Sequence, residues 1–152
     1  RRLTGQDDGA FVISGTQTGH LSTLHPRQYA TVLSCDHATN HLRACGQIKP
    51  SSEALSHGIL YQSRPEILWV MHLHSPEIFA HRTTLNLPCT SPAADYGTPD
   101  MAAEILKLVQ KHDCSKPGLL VMSGHQDGIL AYGPTADSTG NLVLEYLGAT
   151  SK

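Results

Sequence analysis

Charge is scarce in this 152-residue chain. Asp, Glu, Lys and Arg make up 16% of it, and 13 acidic against 11 basic side chains leave a net charge of −2. Binding a polyanion calls for a positive excess, so nucleic acid is not an expected partner. Long apolar runs are missing too. None approaches the roughly 20 residues that span a bilayer, and no signal peptide is visible, so no membrane partner is expected. Cysteine is limited to Cys35, Cys45, Cys89 and Cys114, with irregular spacing and no Cys-x-x-Cys pair. That spacing suits neither a disulfide framework nor a cysteine-based zinc site, and it reads as reduced thiols of a cytoplasmic protein. There is no internal repeat and no low-complexity tract. One domain over residues 1–152 is expected, long enough to bury a sizeable core. The chain begins at Arg1 rather than Met, which reads as a processed chain or a fragment.

Histidine, by contrast, is plentiful, with ten copies. The stretch Leu68-Trp-Val-Met-His72-Leu-His74-Ser75-Pro76 is an apolar run that ends in two histidines spaced i, i+2. Alternate side chains of an extended strand share a face, so His72 and His74 point the same way and form half of a metal site. With so many histidines, some pairs fall close by chance, and a lone His-x-His is as readily structural or surface-exposed. The position singles this pair out: it ends a buried strand just before a helix, with Ser75 as N-cap and Pro76 in the first turn. Open α/β sheets usually carry their chemistry there.

The remaining segments supply candidate partners. Ala10–Ile13 reads as a strand. Ser14-Gly-Thr-Gln-Thr-Gly19 is small and hydroxyl-rich, suited to an anion-binding loop or to an ordinary turn. Tyr29–Ser34 is a second strand. Residues 36–46 read as a polar hairpin loop whose His37 and His41 are solvated. Pro50-Ser51-Ser52-Glu53 opens a helix running to about Ser63, with Ser51 or Ser52 as N-cap and an apolar face of Leu55, Ile59 and Leu60. Glu53 is then a first-turn carboxylate, a general acid/base or a metal-facing group. The hydroxyls and free amides at that helix start suit an anion such as phosphate. A helix from Pro76 to about Thr83 carries His81, which reads as a surface or structural residue. Residues 84–97 are a loop. Thr98-Pro99 opens a helix to about Lys111, and its Met101, Ala102, Ile105, Leu106 and Val109 read as core. Gly118–Gly124 and Ile129–Gly133 are strands, with His125-Gln126-Asp127 between glycines that suit a bend at a functional site. If the strand is regular, His125 and Asp127 share a face. The last helix starts at Thr135 or Asp137 and ends near Leu147–Gly148. Strands alternating with helices imply an α/β or α+β layered sheet.

Together Pro50-Ser-Ser-Glu53, His72-x-His74-Ser75-Pro76 and Asp127-Gly-Ile-Leu-Ala-Tyr-Gly133 resemble the class II aldolase/adducin family, with Ile13–Gly19 in the place of that family's Thr-Gly loop. The resemblance runs from about residue 10 to the end. It implies a three-layer α/β/α sandwich around a largely antiparallel central sheet, and a homotetramer with sites at subunit interfaces. It also implies a divalent metal held by three histidines. His72 and His74 would be two ligands, and Glu53 the acid/base, able to contact the metal when substrate is absent. Ser51, Ser52, Thr18 and Gly19 would bind a substrate phosphate. Zinc is the expected ion, with manganese or cobalt fitting if a carboxylate coordinates.

The chain departs from that pattern in four places. Asp127-Gly128 stands where the third His-Gly pair belongs, so His125 is the first choice of third ligand and Asp127 the second. Ala93 stands in the place of a tyrosine that acts as an acid, with Tyr96 nearby. The family's first helix and Gly-Asn phosphate loop are not seen before the matching segments. The end at Lys152 is short, so a catalytic tail lent to a neighbouring subunit is expected to be missing. The expected activity is a metal-dependent aldehyde-lyase acting on a phosphorylated sugar or related hydroxy-carbonyl compound through a metal-stabilised enediolate. Its alternatives are an epimerase or dehydratase of a ketose phosphate on the same fold, and a non-catalytic adducin-like scaffold.

Overall fold

The structure, a computed structural model, describes residues 1–3 and 9–151; the Asp-Asp-Gly turn signal near the start falls mainly outside the described residues. Two three-stranded sheets carry the fold. β1 (Phe11–Ser14), β2 (Tyr29–Asp36) and β3 (His41–Gly46) form one in that order. β4 (Trp69–His74), β5 (Gly118–Val121) and β6 (Gly128–Gly133) form the other, with β6 in the middle. Every pairing between these strands is antiparallel. The mixed α/β class with antiparallel strands therefore holds, with the strands divided between two sheets rather than joined in one. Residues 1–3 lie between the sheets: the Arg1 carbonyl accepts from Val12 and the Arg2 amide donates to Leu68.

Among the described residues there are also a short 3-10 helix, Pro26–Gln28, and four α-helices: α1 (Ala54–Ser63), α2 (Pro76–Ala80), α3 (Pro99–Val109) and α4 (Ala136–Ala149). Hydroxyl caps begin three of them. Ser75 accepts from Ile78, Thr98 from Met101 and Thr135 from Ser138. Each satisfies an amide that the first helical turn leaves without a partner.

Several boundaries differ from the sequence reading. Residues 41–46, expected in a polar loop, form β3, because their amides and carbonyls pair along β2. Backbone pairing at a sheet edge needs no apolar side chain, so the hydropathy pattern carries no sign of it. α1 starts at Ala54, four residues beyond Pro50, with Glu53 at its cap position and no side-chain cap bond. The reason lies in long-range pairing. Pro50 bridges Gly15, and the Ser51 amide donates to Ser14, which ties this segment to the end of β1. α2 stops at Ala80 and β5 at Val121, both short of their expected ends.

β6 is buried along its whole length, so its two faces feed separate cores. Leu130 and Tyr132 join Phe11, Val32, Leu60, Met101 and Ile105 on one side. Ile129 and Ala131 join Ile78, Leu119 and Val121 on the other, with Leu142, Val143 and Tyr146 of α4 packed against them. α3 contributes the expected stripe, with Met101, Ala102, Ile105 and Val109 fully buried. Each such large side chain adds about 1.5–3 kcal/mol of hydrophobic stabilisation. The two cores hold β6 and the adjoining end of β4 from both sides, and that end carries the histidines. Among the described residues no helix is long and apolar enough to cross a membrane.

Candidate metal centre

His72 and His74 stand on one face of β4 with ring centroids 5.1 Å apart. Their cross-strand partners on β6 are Leu130 and Gly128. The β5–β6 turn supplies the third ring. The His125 amide donates to Met122 and the Gly128 amide to His125, so residues 122–128 close a tight turn rather than extend a strand. His125 lies 5.0 Å from the His72 ring centre and 4.7 Å from that of His74. One nitrogen from each of the three falls within 4.8 Å of the others. Gly128 packs closely here, since a Cβ would sit 3.0 Å from both the Cβ and the carbonyl oxygen of His125.

Asp127 does not join this cluster. The shared strand face expected for His125 and Asp127 does not exist, because Asp127 has a left-handed backbone (φ 60°) inside the turn. Its carbonyl accepts from Ser75, and the residue lines a neighbouring shallow hollow instead.

The electrostatics suit a cation. Burial, reinforced by His125 and His74, pushes the pKa of His72 down to about 4, so the ring is neutral at pH 7. His72 Nδ1 lies 3.1 Å from the Ile129 carbonyl oxygen. A carbonyl only accepts, which assigns the proton to Nδ1 and leaves the Nε2 lone pair for a ligand. Burial, then His74, also lowers His125.

Glu53 is buried beside the triad, at 1% exposure. Its Oε2 accepts from Ser56 Oγ at 2.8 Å. Its Oε1 has no hydrogen-bond partner and lies 3.8 Å from His125 Nδ1, which has none either. Leaving such groups buried and unpaired costs about 1–3 kcal/mol each. A cation would compensate both, so the donor set fits a divalent metal with three imidazole ligands. Burial raises the Glu53 carboxyl above the ordinary carboxylate range, while the Ser56 hydroxyl and His74 pull it back.

The residues expected at a phosphate line the same cavity, of about 970 Å³, as Glu53 and the triad: Thr18, Gly19, Ser51 and Ser52. Thr18 is buried and its hydroxyl donates to the Gly15 carbonyl at 2.8 Å. Ser51 Oγ accepts from the Glu53 amide. Ser52 and Gly19 are exposed. His41 and His81 are exposed, whereas His37, expected to be solvated like His41, is half-buried with its Nδ1 buried and without a partner.

One residue of this region, His57, escaped the sequence reading, and for Tyr96 that reading gave only its place near Ala93. The Tyr96 ring stacks on His125. His57 is buried on the same cavity, its Nδ1 has no partner, and its pKa is pushed down to about 3 by burial. One signal was available for His57: it stands four residues after Glu53, one helical turn on from the cap of α1. Nothing local pointed to the Tyr96 contact.

A three-histidine cluster and a buried carboxylate on an antiparallel α/β fold define a class of site suited to metal-assisted chemistry. The chain belongs to the family described as class II aldolase and adducin N-terminal domain, whose sequence profile matches residues 2–147. Its fold is similar to that of a solved L-fuculose 1-phosphate aldolase, with a TM-score of 0.68 at 21% sequence identity. That match covers 93% of this chain and 66% of the other, so the chain spans just under two thirds of that structure's length. No curated protein matches the chain.

Proposed function

We propose that this protein is a metal-dependent aldehyde-lyase acting on a phosphorylated sugar or a related hydroxy-carbonyl compound. The observation that carries this reading is the convergence of His72, His74 and His125 beside the unpaired Oε1 of Glu53. A divalent cation in that place, zinc by preference for imidazole, supplies Lewis acidity toward a substrate hydroxyl-carbonyl pair. His72, His74 and His125 hold it as neutral ligands and leave its charge undiminished. Glu53 moves the proton on the carbon beside the carbonyl, and burial strengthens it as a base. Ser51, Ser52, Thr18 and Gly19, which line the same cavity, hold the phosphate. The Thr18 hydroxyl proton is already committed to Gly15, so the donors to phosphate are the serine hydroxyls and backbone amides.

The same reading takes the helices on both sides of β6 as outer layers of a three-layer sandwich around antiparallel strands, in a single domain. It takes the assembly as a homotetramer in the cytoplasm, where the four unpaired thiols persist. A second reading, an epimerase or dehydratase of a ketose phosphate, draws on Ala93 standing in the place of a tyrosine acid. Product mass separates the three reactions: cleavage yields two fragments, epimerisation keeps the mass and dehydration removes one water.

The deciding experiment is metal content per chain, on protein purified without chelator or histidine tag, beside His72→Ala. About one zinc or manganese per chain, lost in the variant, supports the lyase and opens a screen of sugar phosphates. A folded protein that neither carries nor takes up metal overturns it in favour of a non-catalytic scaffold.

A further inference from the structure

His72 and His125 are held in different ways. His72 is fixed by a hydrogen bond from Nδ1 to the Ile129 carbonyl. His125 has no such anchor: its Nδ1 is buried without a partner, and Glu53 Oε1 stands off at 3.8 Å. What does touch its ring is Tyr96, near-parallel at 22° with centroids 4.3 Å apart. Tyr96 is 52% exposed, so burial of its own surface does not account for where it sits.

The backbone around Tyr96 is firmly held. The Ala94 carbonyl lies against Gly124, where a Cβ would come within 1.9 Å of it. The Ala94 amide donates to Ser91, and Thr98 Oγ1 donates to the Asp95 carbonyl at 2.6 Å. Thr98 is in turn the N-cap of α3. A loop clamped to the β5–β6 turn and to a helix start thus presents one flat ring to a triad histidine whose Nδ1 is buried without a hydrogen bond. Tyr96 also lines both the main cavity and the shallow hollow beside Asp127, as do His74 and His125.

We infer that Tyr96 is a positioning residue for His125: the face of its ring, and not its hydroxyl, sets the imidazole for metal binding. This rests on the metal reading above. Groups that orient a metal-ligating histidine are ordinarily hydrogen-bond acceptors, and losing one typically costs about 10–100-fold in metal affinity. Here an aromatic stack fills that role.

Cobalt(II) titration tests this on the whole chain, with visible absorption reporting the ligand geometry. Wild type, Tyr96→Phe, Tyr96→Leu, Tyr96→Ala and His125→Ala are compared, with thermal melting as the check on folding. Tyr96→Phe should bind within about twofold of wild type with the same spectrum. Tyr96→Ala and Tyr96→Leu should bind about tenfold or more weakly, with an altered spectrum. The leucine variant keeps apolar bulk without a flat face, so it decides the matter if the alanine variant does not fold. Wild-type affinity in the leucine or alanine variant overturns the inference, and so does a phenylalanine variant as weak as they are. Cobalt uptake that is lost in His125→Ala yet indifferent to Tyr96 fails this inference alone. No uptake by wild type fails the metal reading and this inference with it.

Discussion

Glu53 is where a single atom matters most. Its Oε2 is occupied by Ser56, and its Oε1 is buried, free and turned toward His125. Glu53→Gln keeps the shape and the Ser56 contact and removes the base. Turnover should fall by about 10²-fold or more, the usual reach of general acid–base catalysis, while metal content stays near the wild-type level. Unchanged turnover on an identified substrate would rule out Glu53 as the proton-moving group. Asp127 is its counterpart, a carboxylate close in sequence to the site that the turn carries away from it. Its left-handed backbone at φ 60° suits glycine better than a residue with a Cβ. Asp127→Gly should therefore match wild type in metal affinity and gain up to ~1 kcal/mol of stability. A loss of metal binding in that variant would return Asp127 to the ligand set.

Among the elements, the β5–β6 turn and the start of α3 work as a pair. The turn places His125, and the loop before α3 places Tyr96 against it. Thr98 joins these roles, accepting from Met101 as the helix cap and donating to Asp95 in the loop. Thr98→Ala should cost about 1 kcal/mol, seen as a fall of about 2–4 °C in melting temperature. Its metal affinity should also weaken, in proportion to any loosening of Tyr96. A cap that acted on the helix alone would leave the affinity unchanged, and the comparison separates the two roles.

At the scale of the whole molecule, burying neutral histidines links stability to pH. His57 and His72 titrate near 3 and 4 in the folded chain, against an ordinary value of 6.5. Both are lowered, so between those values and about pH 6.5 the unfolded chain binds more protons than the folded one. Stability must rise with pH across that window and fall on acidification. For metal-free protein the loss between pH 7 and pH 5 should be about 2 kcal/mol per histidine, measurable by denaturant unfolding at the two pH values. His57→Gln should remove about half of that difference. An equal loss in variant and wild type would show that His57 does not stay neutral in the fold. A metal held at the triad would add its own stabilisation, about 2.7 kcal/mol at a hundredfold excess over Kd.

Much of the fold was readable from local rules. Strand alternation put His72 and His74 on one face because the period of an extended chain is two, and no distant contact alters that. Hydroxyl caps and prolines marked Ser75-Pro76, Thr98-Pro99 and Thr135, because helix starts need acceptors for their free amides. Helical periodicity marked the buried stripe of α3. Other features depended on partners far along the chain. β3 exists because β2 offers it backbone groups, and α1 starts late because Pro50 and Ser51 are tied to β1. His125 reaches the histidine pair through a turn, by a route that strand periodicity does not describe. Tyr96 reaches His125 because Gly124 leaves room for the Ala94 carbonyl. Residue types, spacing and caps act within a few residues, so the chain alone determined its hydroxyl-capped helix starts and its His-x-His face. Ring stacking, burial of unpaired atoms and the choice between His125 and Asp127 act through space, so only the folded chain could decide them.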